Sequence, residues 1–129
     1  MADSTDYSKW LERAGQDLRL IDVIYREGLH GLEDSFCYMC QQAAEKLLKA
    51  FIVKKEKCAP RSHDLLYLLG MCKNYDAAVL ALTDALTVLN EYSVSARYPS
   101  DFDDKRTIEE ANEAYNFIIE VKNFIYHWL

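Results

Sequence analysis

Apolar residues recur every three or four positions along most of this chain, a spacing that places them on one face of an α-helix. The pattern predicts a first helix that ends at Gly28 and Gly31 and a second over about residues 34–57. It predicts a further long helix over about residues 76–96 and a last one from Thr107 almost to the terminus. With only four glycines and two prolines in the chain, these helices meet few interruptions.

A shorter helix is predicted in the connection CAPRSHDLLYLLGMC, which follows the second helix. Pro60 prevents the second helix from continuing, because proline lacks an amide hydrogen and clashes with the preceding turn. Ser62 is suited to cap the short helix, and Thr107 with Glu110 forms a capping box for the last one. The sequence therefore predicts an all-α fold, an up-and-down antiparallel four-helix bundle with one additional short helix, as one domain over residues 1–129.

The composition indicates a bundle without metal or cofactor. Each predicted helix has an apolar face for the interior, and no Glu-x-x-His pair of the kind used in di-metal bundles occurs. Cys37 and Cys40 form a C-x2-C inside a helical pattern, while Cys58 and Cys72 are not paired at metal-ligand spacing. We therefore expect the cysteines to be small buried hydrophobic residues.

The sequence also predicts a cytoplasmic protein that does not enter the membrane. No apolar run approaches the ~20 residues that a membrane-spanning helix needs. The beginning, MADSTDYSKW, lacks the basic and apolar regions of a signal peptide.

The charge is distributed unevenly. The chain has a net charge of −6, but residues 46–63 hold five lysines and Arg61 against Glu56 alone. Such a protein is not suited to coat long nucleic acid, but the basic stretch could hold one compact anion. The alternative is that these lysines only compensate the dipole at the end of the second helix.

The stretch SARYPSDFDD, residues 95–104, carries a second candidate for anion recognition. Pro99 disfavours a helical conformation at Tyr98, so the predicted helix ends at or before Arg97. A guanidinium and an aromatic ring held at a helix end suit the recognition of a phosphate and a flat base. Alternatively, Arg97 caps helix carbonyls or pairs with the aspartates that follow it.

Three stretches of the chain, QQAAEKLLKAFIV, SHDLLYLL and ARYP, resemble in this order the HEPN domain family. The similarity runs from AGQDLRLI in the first helix to the last helix. It implies an up-and-down helical bundle with a short additional helix, usually as a dimer. Many members are partners of a small nucleotidyltransferase, and some similar proteins are metal-independent ribonucleases.

The ribonuclease branch of the family uses an arginine followed, after four to six residues, by a histidine. The imidazole moves a proton from the ribose 2′-hydroxyl while the arginine stabilises the phosphorane. None of the six arginines here has a histidine at that spacing. The nearest match is KNFIYH, in which Lys122 replaces the arginine before His127. The sequence therefore favours a protein without catalytic activity.

The resemblance implies a binding site that includes the basic stretch and ARYP. Lys46, Lys49 and Arg97 would neutralise phosphate, and Tyr98 would stack on or border a base. His63 would donate a hydrogen bond or set the local charge, with Asp64 beside it; alternatively, these two residues cap the short helix. The supporting residues are Gln42, Glu45, which forms a favourable i,i+4 pair with Lys49, and Pro99.

The leading hypothesis is a nucleotide-binding, non-catalytic regulatory subunit of a small nucleotidyltransferase, in a pair of the toxin–antitoxin type. One alternative is a divergent ribonuclease toxin that uses Lys122 and His127. Another is a dimeric protein-interaction module without a small-molecule ligand, because nine tyrosines and five phenylalanines could build its surface.

Overall fold

The computed structural model describes residues 3–93, 99 and 105–129. Its helical elements, in chain order, are α1 Tyr7–Glu27, α2 Glu33–Glu56, α3 Leu65–Lys73, a 3-10 segment Ala77–Leu82, α4 Thr83–Asn90 and α5 Ile108–Trp128. No strand occurs within the described ranges. The predicted fold class is confirmed, since the chain is an all-α bundle of four helices with one short additional helix.

The helix α2 is the centre of the bundle. It packs against α1, α3, α4 and α5, and 14 of its 24 residues are buried, including the large side chains Phe36, Leu47 and Phe51. Because neighbours cover it on several sides, its polar positions are enclosed as well. The prediction of an apolar interior is therefore wrong in part. Three polar or charged side chains of α2 are buried, namely Gln41, Glu45 and Lys49.

Local signals set most helix ends where the sequence predicts them. Gly28 ends α1 with a φ of 129°, a conformation that favours glycine. Lys57 ends α2 in the left-handed conformation, shortly before Pro60. The capping box at the start of α5 is present, with Thr107 accepting from the Glu110 amide and Glu110 accepting from the Thr107 amide.

The short helix α3 begins slightly later than predicted. Its N-cap is Asp64, whose carboxylate accepts from the backbone amides of Leu66 and Tyr67. The predicted cap, Ser62, instead accepts from the backbone amide of Asp64. A carboxylate at the N-cap also complements the helix dipole, which a hydroxyl does not.

The predicted helix over residues 76–96 is wrong in its first part. Residues 77–82 form a 3-10 helix capped by Asp76, and only Thr83–Asn90 is α-helical. Val79 and Leu82 are both buried and three residues apart, so the three-residue turn of a 3-10 helix places both inside. Residues 94–96 of the prediction lie outside the described residues.

Three of the cysteines are buried, as predicted, whereas Cys58 is exposed on the loop after α2. Burial raises the pKa of the Cys37 and Cys72 thiols to about 12 and also raises the pKa of Cys40. These three thiols therefore stay protonated at pH 8 and shielded from solvent. Because the thiolate is the reactive form of cysteine, they are expected to react slowly.

We expect one thiol per chain to react rapidly with Ellman's reagent at pH 8, and four to react in denaturant. The reactive thiol is Cys58, so the Cys58→Ser variant is expected to show no rapid reaction while folded. The measurement is the absorbance of the released thiolate over time. A second rapidly reacting thiol in the folded wild type would contradict the burial of the other three.

None of the helices in the described ranges is long and apolar enough to cross a membrane.

Candidate functional site

A groove of about 670 Å³ opens beside the C-terminal half of α2. The N-terminal segment and the loop between α2 and α3 form its other walls. The residues that line it are Asp3, Thr5, Lys49, Cys58, Ala59, Arg61 and His63. Three of them, Lys49, Arg61 and His63, belong to the basic stretch over residues 46–63, which is the predicted anion site.

The carboxylate of Glu45 organises this groove. Its Oε2 atom lies 3.0 Å from Lys49 Nζ and 3.0 Å from His63 Nδ1. The side chains of Glu45 and Lys49 are 7% and 3% exposed, whereas that of His63 is 69% exposed. A neutral imidazole that donates to this carboxylate carries its proton on Nδ1, which leaves Nε2 for contacts outside the bundle.

The buried ion pair is an unusual feature for a bundle core. Removing two charges from water opposes their attraction, so a buried pair stabilises a fold no better than apolar side chains of similar size. Moreover, Glu45 Oε1 is buried without a hydrogen-bond partner among the described residues, an arrangement that costs about 1–3 kcal/mol. Packing alone does not account for such a pair, and buried charges of this kind are common at functional sites.

Two amide side chains fix the loop that carries His63. Gln41 Nε2 donates to the backbone carbonyl of His63 at 3.3 Å, and Gln42 Nε2 donates to Gln41 Oε1 at 2.8 Å. Gln42 therefore supports the site through Gln41 rather than by lining the groove. The backbone at His63 is therefore held in place by contacts within the protein.

Asp64 and Asn90 join the start of α3 to the end of α4. Asn90 donates to Asp64 Oδ1 at 3.0 Å and accepts from the Leu65 amide at 2.9 Å. The Asp64 carboxylate thus accepts hydrogen bonds both from Asn90 and from the first turn of α3, and these contacts have a structural role. The end of α4 thus lies beside the residue that follows His63.

Lys46 lies in a neighbouring groove rather than facing His63. Its Nζ atom is 2.6 Å from Asp17 Oδ2 on α1. This second groove measures about 510 Å³, and its lining residues are Asp3, Ser4, Lys9, Trp10, Glu12, Arg13 and Lys46. The two grooves share Asp3 and therefore adjoin, but Lys46 and Lys49 line different grooves.

Of the ARYP motif, the structure describes only Pro99, which is exposed. Arg97 and Tyr98 lie outside the described residues. Their predicted place in the site therefore stays a prediction.

Lys122 and His127, the residues of the ribonuclease alternative, lie on different sides of α5. Lys122 lines a third groove between α1 and α5, while His127 is exposed in the last turn of α5. Five positions along an α-helix correspond to a rotation of about 140°. The two side chains therefore leave α5 on different sides and do not form a joint acid–base site in one copy of the chain.

The sequence does not single out Arg61 and Trp10 as members of the site. Arg61 belongs to the basic stretch, but nothing in the pattern distinguishes it from its neighbours. Trp10 lies in the first turn of α1, far from the other residues in sequence.

Among the described residues, no group of three or more histidine, cysteine, aspartate or glutamate side chains is arranged to hold a metal ion.

The chain is similar to one family profile and to several solved structures. The HEPN domain profile matches residues 7–128. The solved structure of TT1696 from Thermus thermophilus is similar at 25% identity and a TM-score of 0.75, over 95% of this chain and 98% of that one. ST0689, an archaeal HEPN homologue, is similar at 23% identity and a TM-score of 0.72, over 95% and 97% of the two chains. No curated protein matches the sequence.

Proposed function

The chain belongs to the HEPN domain family, and we propose that it is a nucleotide-binding, non-catalytic partner subunit of a small nucleotidyltransferase. The observation that carries the nucleotide part of this proposal is the groove lined by Lys49, Arg61 and His63, of which Lys49 and His63 contact the buried carboxylate of Glu45. The family resemblance supports the partner enzyme and also a dimeric state, which we include in the proposal.

The groove is suited to a phosphate group because its cation is fixed in advance. Lys49 has three N–H donors, of which Glu45 Oε2 accepts one. A side chain that is already ordered loses little conformational entropy when a ligand binds. Arg61, which is exposed on the loop, adds a planar guanidinium that can bind two phosphate oxygens together.

His63 completes the phosphate subsite in this proposal. When protonated, its ring donates from both nitrogens, so Nδ1 keeps Glu45 while Nε2 donates to the ligand. Arg97 and Tyr98 would join from the segment after α4, Arg97 as a further phosphate contact and Tyr98 at the edge of the base. Asn90, which binds Asp64 next to His63, brings the end of α4 to this side of the bundle.

We expect the Arg61→Ala variant to bind ATP about tenfold more weakly than the wild type, because a hydrogen bond to a charged group contributes roughly 1.5–3 kcal/mol and Arg61 is exposed. The measurement is isothermal titration calorimetry at one fixed salt concentration. The control is Arg26→Ala, which removes the same charge from the exposed end of α1 and is expected to change affinity less than twofold.

Two results would count against the proposal in different ways. If the wild-type protein does not bind ATP, the nucleotide-binding part of the proposal is rejected. Equal weakening by Arg61→Ala and Arg26→Ala would indicate a general effect of charge rather than a site in the groove.

The partner is tested separately by co-expression with a small nucleotidyltransferase encoded in an adjoining reading frame. The proposal expects the two proteins to elute together in size-exclusion chromatography. Separate elution would reject the partner enzyme without affecting the nucleotide site.

A further inference from the structure

We propose that Trp10 is the base-stacking residue of the nucleotide site, so that the ligand spans both grooves. This inference rests on the proposed nucleotide-binding function. The phosphates lie in the first groove against Lys49 and Arg61, and the planar base lies on the indole of Trp10 in the second.

The position of Trp10 relative to Lys49 supports a continuous site. The two grooves share Asp3, and Lys49 Nζ, which lines the first groove, lies 5.6 Å from the centre of the Trp10 ring, which lines the second. In a nucleotide, one sugar separates the phosphate from the base. A ligand whose phosphate contacts Lys49 therefore has its base within reach of Trp10.

The indole is held in one orientation. Its Nε1 atom donates to the backbone carbonyl of Ser4 at 2.9 Å, and the side chain is half-buried. The carbonyl of Ser4 thus ties the N-terminal segment to the ring. A large aromatic surface that is fixed before binding offers stacking at little entropic cost, and stacking accepts any base because every base has a π-face.

The charges beside Trp10 are of both signs. Lys46 is bound to Asp17, and the lining residues include the acidic Asp3 and Glu12 as well as the basic Lys9 and Arg13. This arrangement suits a flat uncharged ring better than a second anionic group. The base is therefore the part of the ligand that this groove fits.

The direct test uses the fluorescence of Trp10. The chain has two tryptophans. Trp128, which stacks on Phe51 and donates to Asp76, is replaced by phenylalanine, which keeps an aromatic ring beside Phe51. In the Trp128→Phe variant we expect ATP to quench the remaining tryptophan with the affinity that calorimetry gives. Inorganic tripolyphosphate, which has no base, is expected to bind more weakly and to quench little.

The variants separate stacking from structural support. We expect Trp10→Leu to weaken ATP binding on the order of tenfold, while tripolyphosphate affinity changes less than twofold. Trp10→Phe keeps a ring and is expected to retain most of the affinity for ATP. If Trp10→Leu fails to fold, quenching of Trp10 by ATP but not by tripolyphosphate in the Trp128→Phe variant still decides the question.

Three results would overturn the inference. Equal affinity of the wild type for ATP and tripolyphosphate would mean that the base makes no favourable contact. Equal loss of both ligands in folded Trp10→Leu would mean that Trp10 acts only by positioning Lys49. Binding of neither ligand by the wild type would reject the proposed function together with this inference, whereas the first two results would leave the phosphate site in place.

Discussion

Replacing Glu45 with leucine is expected to lower the free energy of unfolding by about 3 kcal/mol, because it leaves the ammonium of Lys49 buried without its counter-charge. The side chain of Lys49 is only 3% exposed, so water compensates little for the loss of the carboxylate. The measurement is a denaturant unfolding curve, with the midpoint and the slope compared between the variant and the wild type.

The matched control is Asp17→Leu, which removes the partner of Lys46. That pair lies near the surface, with both side chains about a quarter exposed, and such pairs contribute roughly 0–1 kcal/mol. A Glu45→Leu variant that is as stable as Asp17→Leu would contradict the buried position of the pair.

The second large effect is the loss of ATP binding in a protein that remains stable. We expect the free energy of unfolding of the double variant Glu45→Leu/Lys49→Met to lie within about 1 kcal/mol of the wild-type value or above it, because apolar side chains replace a buried ion pair well. We also expect its affinity for ATP to fall about a hundredfold, since the fixed cation of the groove is gone.

This double variant separates function from stability. A stable variant without ATP binding would mean that the bundle retains the ion pair for its ligand. A stable variant with unchanged affinity would remove Lys49 from the site, and a strongly destabilised one would mean that the pair supports the fold itself.

The parts of the fold that the sequence predicts are those set by local chemistry. Gly28 ends α1 because of its positive φ, and the capping box of Thr107 and Glu110 starts α5. The 3-10 segment escaped prediction because Val79 and Leu82, three residues apart, fit the spacing of either kind of helix. Asp64 and Ser62 are both good caps, and the bond from Asn90 to Asp64 becomes visible only in the folded chain.

The candidate site was only partly predictable for a related reason. The sequence indicates that Glu45 and Lys49 form a pair on one side of α2, but periodicity does not reveal that neighbouring helices enclose that side. Likewise, no spacing rule connects Trp10 with Lys49, because their proximity depends on how α1 packs on α2. Local patterns thus identify the charged residues, while packing determines which of them meet.

The most direct test of the central claim is an amide and indole nuclear magnetic resonance titration of the wild-type protein with ATP. We expect the largest shifts at the Trp10 indole, at Lys49 and in the loop residues 57–64, with much smaller shifts along α5. Shifts concentrated around Lys122 and His127, or no shifts at saturating ATP, would contradict the assignment of the nucleotide site to the two adjoining grooves that Lys49 and Trp10 line.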